Sequence, residues 1–141
     1  MKIRRRFTPL EACHKIIFRK RRVLRRRRPL TGFTIKKREQ ARTFVENRIS
    51  YFNKFYNFNI NRIAIKNAST RWGSCSSKGN LNFNYKIIYL RPELADYLIV
   101  HELCHLGQLN HSGRFKALVS KTIPDYVKIN KELKRTNVKF I

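Results

Sequence analysis

Residues 101–111 have the sequence HELCHLGQLNH, which holds three of the four histidines of the chain. On an α-helix, two residues four positions apart differ by about 40° around the axis and by about 6 Å along it. The imidazoles of His101 and His105 are therefore expected to project from one face and to hold one metal ion between them. Glu102 lies one position further round the helix, where its carboxylate can reach a water on that ion and act as a general base.

His111 follows His105 by six residues, and an uninterrupted helix would carry it about 120° away from the shared face and about 9 Å further along. A third ligand at this position requires the helix to end between the two histidines. Gly107 is predicted to provide that stop in the left-handed conformation, which Asn110 also tolerates. After such a turn, His111 can complete a set of three protein ligands, which leaves the fourth tetrahedral position for water.

This stretch resembles the YgjP-like zinc metallopeptidases, a family related to the WLM and SprT-like proteases. The resemblance covers roughly residues 60–135. Beyond the histidine motif it rests on the blocks Arg71-Trp72-Gly73-Ser74-Cys75-Ser76, Gly79-Asn80-Leu81-Asn82, Ile88-Tyr89-Leu90, Pro92-Glu93-Leu94 and Asn110-His111-Ser112 with Phe115. The resemblance implies a zinc ion bound by His101, His105 and His111. It also implies that Glu102 is the catalytic base and that the substrate is a protein or peptide.

Length and composition predict one compact domain with an extreme basic charge. The 141 residues suffice for a single domain, and 42% of them are hydrophobic, which is enough for a core. The formal net charge of +25 predicts attraction to polyanions such as nucleic acid. It does not indicate a class of enzyme.

Cysteine usage and hydropathy predict a cytoplasmic protein. Cys13, Cys75 and Cys104 cannot all pair with one another, and none of them forms a close-spaced metal-binding pair, which favours a reducing compartment. No apolar run approaches the roughly 18 residues that can span a bilayer. Glu11 interrupts any secretory hydrophobic segment near the start of the chain.

The basic charge is concentrated at the amino terminus. Residues 1–38 contain 16 Lys and Arg and one acid, and residues 25–28 are consecutive arginines. Like charges this close repel one another in compact packing, which predicts a partly disordered basic arm over residues 1–33. The metallopeptidase domain is then expected over residues 34–141. Two interpretations of the arm stay open: it binds nucleic acid or another polyanion, or it is a solvated terminus.

The domain is predicted to be α+β. The resemblance implies a small zincin-like domain. Apolar residues at spacings of three and four predict an amino-proximal helix over residues 34–56. Residues 60–66 predict a strand, and residues 71–76 and 81–85 predict a hairpin with one buried and one polar face. The sheet is expected to be short and antiparallel. Residues 86–90 are expected to continue it or to form another strand.

Pro92 predicts the first turn of the helix that carries the HExxH motif. Two carboxy-terminal helices are expected after it, the first capped by Ser112. Trp72 is predicted to be a core anchor rather than a substrate contact. Cys104 is predicted to be a small buried hydrophobe rather than a ligand.

Two classes of function are compatible with these observations. The first is a zinc metallopeptidase, in which Zn²⁺ activates a water and Glu102 acts as the general base. The second is a nucleic-acid-binding protein with a structural or catalytically inactive zinc site, which the net charge and the arginine run favour. The sequence determines neither the substrate nor the oligomeric state.

Overall fold

The computed structural model describes residues 32–136 and Val138, apart from the side chain of Phe33. The basic arm predicted for residues 1–33 therefore lies almost entirely outside the described residues. The elements in chain order are α1 (Gly32–Asn53), β1 (Arg62–Lys66), β2 (Gly73–Cys75), β3 (Asn80–Asn84), a 3-10 helix (Tyr85–Tyr89), α2 (Pro92–Cys104), α3 (Gly113–Thr122) and α4 (Tyr126–Arg135).

The α+β class predicted from the sequence is confirmed. The amino-proximal helix is α1, which begins two residues before the predicted start and ends three residues before the predicted end. The helix predicted to carry the HExxH motif is α2, and Pro92 is its first residue, where proline's missing N–H costs no hydrogen bond. Two further helices follow, as expected. Within the part of the chain that the structure describes, no helix combines the length and apolar content of a membrane span.

The sheet is mixed, and the prediction of a wholly antiparallel sheet is wrong. Its strand order is β1-β3-β2. β2 and β3 form the predicted antiparallel hairpin, with Ser74 opposite Asn82. β1 runs parallel to β3, with Ala64 opposite Asn82. After β1 the chain crosses to the opposite edge of the sheet and forms β2. It then turns back and forms β3 between β1 and β2, so β3 runs in the same direction as β1. An alternating pattern identifies a strand but not its partner.

Tyr85–Tyr89 form a 3-10 helix where a strand was expected. Asn84 determines this change of direction. Its side-chain oxygen accepts a hydrogen bond from the backbone N–H of Lys86 at 3.2 Å. Its amide donates to the carbonyls of Ala68 at 2.7 Å and Arg71 at 3.2 Å. Asn84 alternates with the apolar Phe83 and Tyr85 of the hairpin and is nevertheless buried, where it satisfies loop carbonyls that would otherwise lose their hydrogen bonds.

Helix α2 lies at the centre of the domain and contacts α1, α3, α4 and β2. Nine of its 13 residues are buried, because the helix carries apolar side chains around most of its circumference. Cys104 is fully buried at its end, as predicted, and burial raises the pKa of the thiol to about 11. Trp72 packs into the same core, as predicted, and its indole N–H donates to the carbonyl of Thr136 at 3.2 Å.

An ion pair joins α1 to α2. The guanidinium of Arg48 donates from Nε and Nη2 to the two carboxylate oxygens of Asp96, at 2.7 and 2.5 Å. The same guanidinium lies 5.1 and 5.0 Å from the ring centroids of Tyr51 and Phe52. Hydrogen bonding to Asp96 raises the pKa of Arg48, and burial opposes the rise. A bidentate, partly buried pair fixes the relative position of the two helices more firmly than a single exposed contact.

We expect Arg48→Met to lower the free energy of unfolding by about 1.5 kcal/mol, because it leaves the partly buried Asp96 carboxylate without its charged donor. Urea unfolding monitored by circular dichroism measures the change. Arg42→Met is the matched control on the same helix, since Arg42 makes one exposed contact to Glu46 at 3.5 Å. The control should lose less than about 0.5 kcal/mol. Equal losses of unfolding free energy in the two variants would show that the ion pair between Arg48 and Asp96 does not stabilise the packing of α1 against α2.

Candidate metal centre

Three imidazoles converge at the carboxyl end of α2, as the sequence spacing predicts. One ring nitrogen each from His101, His105 and His111 can be chosen so that all three lie within 4.8 Å of one another. The Nε2 atoms of His101 and His111 are 3.1 Å apart. Tetrahedral zinc with Zn–N bonds of about 2.05 Å separates its ligand nitrogens by about 3.3 Å. The His101–His111 separation is close to this value, and three imidazole donors suit a zinc site that keeps one position open.

The chain reverses by a tight turn rather than by a left-handed residue. Helix α2 ends at Cys104, and His105 follows in a right-handed helical conformation. The N–H groups of Gly107 and Gln108 both donate to the carbonyl of Cys104, at 3.1 and 3.0 Å. Such bonds satisfy the last carbonyls of the helix. Neither Gly107 nor Asn110 has a positive φ, so the predicted left-handed stop is wrong, although the helix does end before His111.

Gly107 is required by close packing instead. A Cβ at this position would lie 2.8 Å from Cζ and 3.0 Å from Cε1 of Phe58. The Phe58 ring stacks on Tyr56, with centroids 5.4 Å apart. The hydroxyl of Tyr56 donates to the carbonyl of Leu118 in α3 at 2.9 Å. Tyr56 and Phe58, which follow α1, therefore fix the position of the turn at Gly107 that brings His111 to the cluster.

Two hydrogen bonds orient the histidine rings. Nδ1 of His105 lies 3.0 Å from the carbonyl oxygen of Gln108, and Nδ1 of His101 lies 3.2 Å from the hydroxyl of Tyr97. Burial raises the pKa of Tyr97 to about 12, so it stays a neutral phenol. A proton on Nδ1 of each ring donates to these oxygens and leaves Nε2 free to bind a metal. Tyr97 was not predicted to belong to the site, although its position four residues before His101 places it on the same helix face.

Phe115 of α3 forms the apolar floor of the cluster. Its ring centroid lies 5.0, 4.6 and 4.8 Å from those of His101, His105 and His111, respectively. Phe115 is buried, so one side of the three imidazoles is closed to water. Ser112 occupies the N-cap position of α3 as predicted, but its hydroxyl makes no capping hydrogen bond.

The electrostatic environment favours neutral histidines. Burial is the largest cause that lowers the pKa of His101 to about 4, and the neighbouring His105, His111 and Lys134 add to this lowering. Burial also lowers the pKa of His105, against an opposing effect of its hydrogen bond to Gln108. Both rings are therefore neutral at pH 7. Neutral imidazole is the form that binds a metal.

Glu102 is the one charged residue among the buried polar residues of the described chain. Burial raises the pKa of its carboxyl to about 7, and nearby Arg71 partly opposes the rise. The carboxyl lies directly against β2. A Cβ on Gly73 would approach the Cγ and Oε1 atoms of Glu102 to 2.8 Å, so only glycine allows this contact. Gly73 was not predicted from the sequence to be part of the site.

The edge of the sheet beside this site is strand β2. The N–H of Asn84 donates to the carbonyl of Trp72 at 2.7 Å, so the backbone of Trp72 faces β3. Backbone groups alternate in direction along an antiparallel strand. The N–H and C=O groups of Gly73 and Cys75 therefore point away from β3, along the outer edge of the sheet. At the opposite edge, by contrast, Arg38 of α1 donates to a carbonyl of β1 at 2.7 Å.

Two clefts flank the histidines. One, of ≈ 360 Å³, borders His105 and the turn between β2 and β3. The other, of ≈ 200 Å³, borders His101 and Glu102 and lies between α2 and α4. We call the second the α2–α4 cleft. Its lining residues are Trp72, Gly73, Tyr97, Leu98, His101, Glu102, Asn130, Leu133 and Lys134.

Comparison with known proteins points to one family. The sequence model described as "YgjP-like, metallopeptidase domain" matches residues 19–136. The crystal structure of the metallopeptidase zymogen abylysin from Pyrococcus abyssi is similar, with a TM-score of 0.58 and 22% identity over 63% of this chain and 90% of that one. The crystal structure of the metallopeptidase zymogen jannalysin from Methanocaldococcus jannaschii is also similar, with a TM-score of 0.57 and 22% identity over 64% of this chain and 94% of that one. At this identity the likeness is one of fold. A search of curated proteins gives no match.

We expect His111→Ala to lower zinc affinity more than about 100-fold, because loss of a direct ligand should exceed the 10–100-fold cost of losing an outer-shell partner. Competition with a chromophoric chelator, with metal content checked after dialysis, measures the change. His14→Ala is the control, since His14 is the remaining histidine of the chain. Wild-type zinc affinity in His111→Ala would exclude His111 as a ligand.

Proposed function

This chain belongs to the YgjP-like metallopeptidase family, and we propose that it hydrolyses peptide bonds with a zinc ion held by its three clustered histidines. The single observation that carries the proposal is the convergence of His101, His105 and His111 beside the buried carboxyl of Glu102. A structural zinc site needs no buried carboxyl next to its ligands, whereas a hydrolytic one needs a base.

The proposed chemistry divides between the metal and the protein. Zinc, when bound, supplies Lewis acidity to a water and to the peptide carbonyl. Glu102 accepts a proton from that water and delivers it to the leaving amine. A carboxyl whose pKa burial raises to about 7 suits both steps, because it takes up and releases a proton near neutral pH. Tyr97 and the Gln108 carbonyl keep two imidazoles in the orientation that binds metal.

We propose that the substrate lies as an extended strand against β2. The outward N–H and C=O groups of Gly73 and Cys75 can pair with its backbone, as in other complexes that extend a sheet. Gly73 touches Glu102, so a strand paired at this edge passes the proposed base. The two clefts on either side of the histidines then receive side chains of the substrate.

The alternative of a nucleic-acid-binding protein with structural zinc rests on the net charge of +25 and on the arginine run. The arginine run lies outside the described residues. The strand edge beside Glu102 has an evident use in a peptidase and none in that alternative. We therefore favour hydrolysis of a protein or peptide.

We expect Glu102→Gln to lower hydrolysis of casein by about 100-fold to 10,000-fold, the usual contribution of a general base. Zinc affinity should stay within about twofold of wild type, since a neutral amide of the same shape disturbs no ligand. The matched control is Glu93→Gln, an exposed glutamate in the first turn of the same helix. Retained hydrolysis in Glu102→Gln would refute the assignment of the base.

We expect Gly73→Ala to lower kcat by at least about tenfold while zinc stays bound. The added methyl displaces the Glu102 carboxyl, and small misplacements of a reacting group are costly. Gly113→Ala is the control, because nothing lies within 4 Å of a Cβ added there. Kinetics on a fluorogenic peptide and zinc titration test both variants. Equal kcat in the two variants would show that contact with Gly73 does not position Glu102.

A further inference from the structure

The α2–α4 cleft is sized for a single side chain. Its volume is ≈ 200 Å³, below the range of about 300–1,000 Å³ typical of small-molecule sites. His101 and the buried Glu102, where the reaction is proposed to occur, line one part of it. Asn130 and the exposed Lys134 of α4 also line it, and we call their side the outer end. A group that enters this cleft therefore belongs to a substrate residue close to the scissile bond.

Lys134 gives the cleft a positive charge at its outer end. It is exposed in the last turn of α4 and lines the cleft, so its ammonium group brings a positive charge there. No carboxylate among the described residues forms an ion pair with Lys134; the neighbouring Glu132 pairs with Arg91 at 2.7 Å.

The rest of the cleft suits the stem of an acidic side chain. Trp72, Leu98 and Leu133 form apolar walls and are buried. Methylene groups pack against such walls, while the amide N–H of Asn130 and the ammonium of Lys134 offer donors to an anion at the outer end. A basic side chain would meet the charge of Lys134 instead.

We propose that the α2–α4 cleft binds a carboxylate of the peptide substrate next to the scissile bond, recognised by Lys134 and Asn130. This inference rests on the proposed peptidase function and adds a substrate class to it. A glutamate or aspartate side chain and the carboxyl terminus of a short peptide present the same chemistry, and the experiment separates them. Lys134 and Asn130 are specificity residues and take no part in the chemical step.

The first test measures binding without hydrolysis. Zinc-loaded Glu102→Gln protein is titrated into fluorescein-labelled peptides that differ at one position, as Glu, Gln or Lys, each made as free acid and as amide. We expect the Glu peptide, or the free acid, to bind about tenfold tighter than its neutral counterpart. Adding Lys134→Glu should reverse this order in favour of the Lys peptide or the amide. The preference should weaken with added salt, because the charges are exposed.

The control is Lys131→Glu in the same Glu102→Gln background, an equal charge change at an exposed residue of α4 that does not line the cleft. It should keep the preference for carboxylate. Equal changes in the Lys131 and Lys134 variants would overturn the inference and indicate a general effect of net charge. No preference, or no binding of any peptide, would also overturn it.

The second test compares kcat/KM for the same peptides in otherwise wild-type protein. The ratio for Glu over Gln should fall at least about tenfold in Lys134→Glu when both proteins are saturated with zinc. Absence of hydrolysis by every variant, with the binding preference intact, would refute the peptidase function and leave carboxylate recognition standing. Hydrolysis with an unchanged ratio would refute the recognition and leave the peptidase function standing.

Discussion

The reversal of the chain after Cys104 is the constraint on which the rest of the site depends. Helix α2 alone aligns two imidazoles, and the third arrives only because the turn folds back onto the face of the helix. Gly107 packs against Phe58, and Phe115 lies beneath all three rings, so segments before and after α2 hold the turn in place. The apolar packing of α2 and the geometry of the cluster are therefore parts of one structure.

A second constraint acts on the carboxyl beside the cluster. Burying Glu102 disfavours its charged form and raises its pKa to about 7. The Glu102 side chain is buried where it packs directly against the backbone of Gly73. The same strand presents its outward backbone groups at the sheet edge. The proposed base, the strand edge and the proposed metal ligands thus meet at one place because Gly73 has no side chain.

Much of this arrangement could be predicted from local sequence patterns. The spacing of His101 and His105, the apolar face of α1 and the alternating hairpin each follow from the period of a helix or strand. The pairing of β1 with β3 did not follow, because periodicity carries no information about partners. Gly73 and Lys134 were missed because their contacts with the site join segments distant in sequence. The left-handed stop at Gly107 was wrong because a close neighbour, rather than φ, requires glycine there.

Anomalous diffraction from crystals of the zinc-loaded protein, recorded on both sides of the zinc edge, is the most direct test of the account. We predict one strong anomalous peak about 2.1 Å from a ring nitrogen of each of His101, His105 and His111, with the carboxyl of Glu102 outside bonding distance. A peak bonded by only two of these imidazoles, or one that includes the Glu102 carboxylate as a ligand, would contradict it.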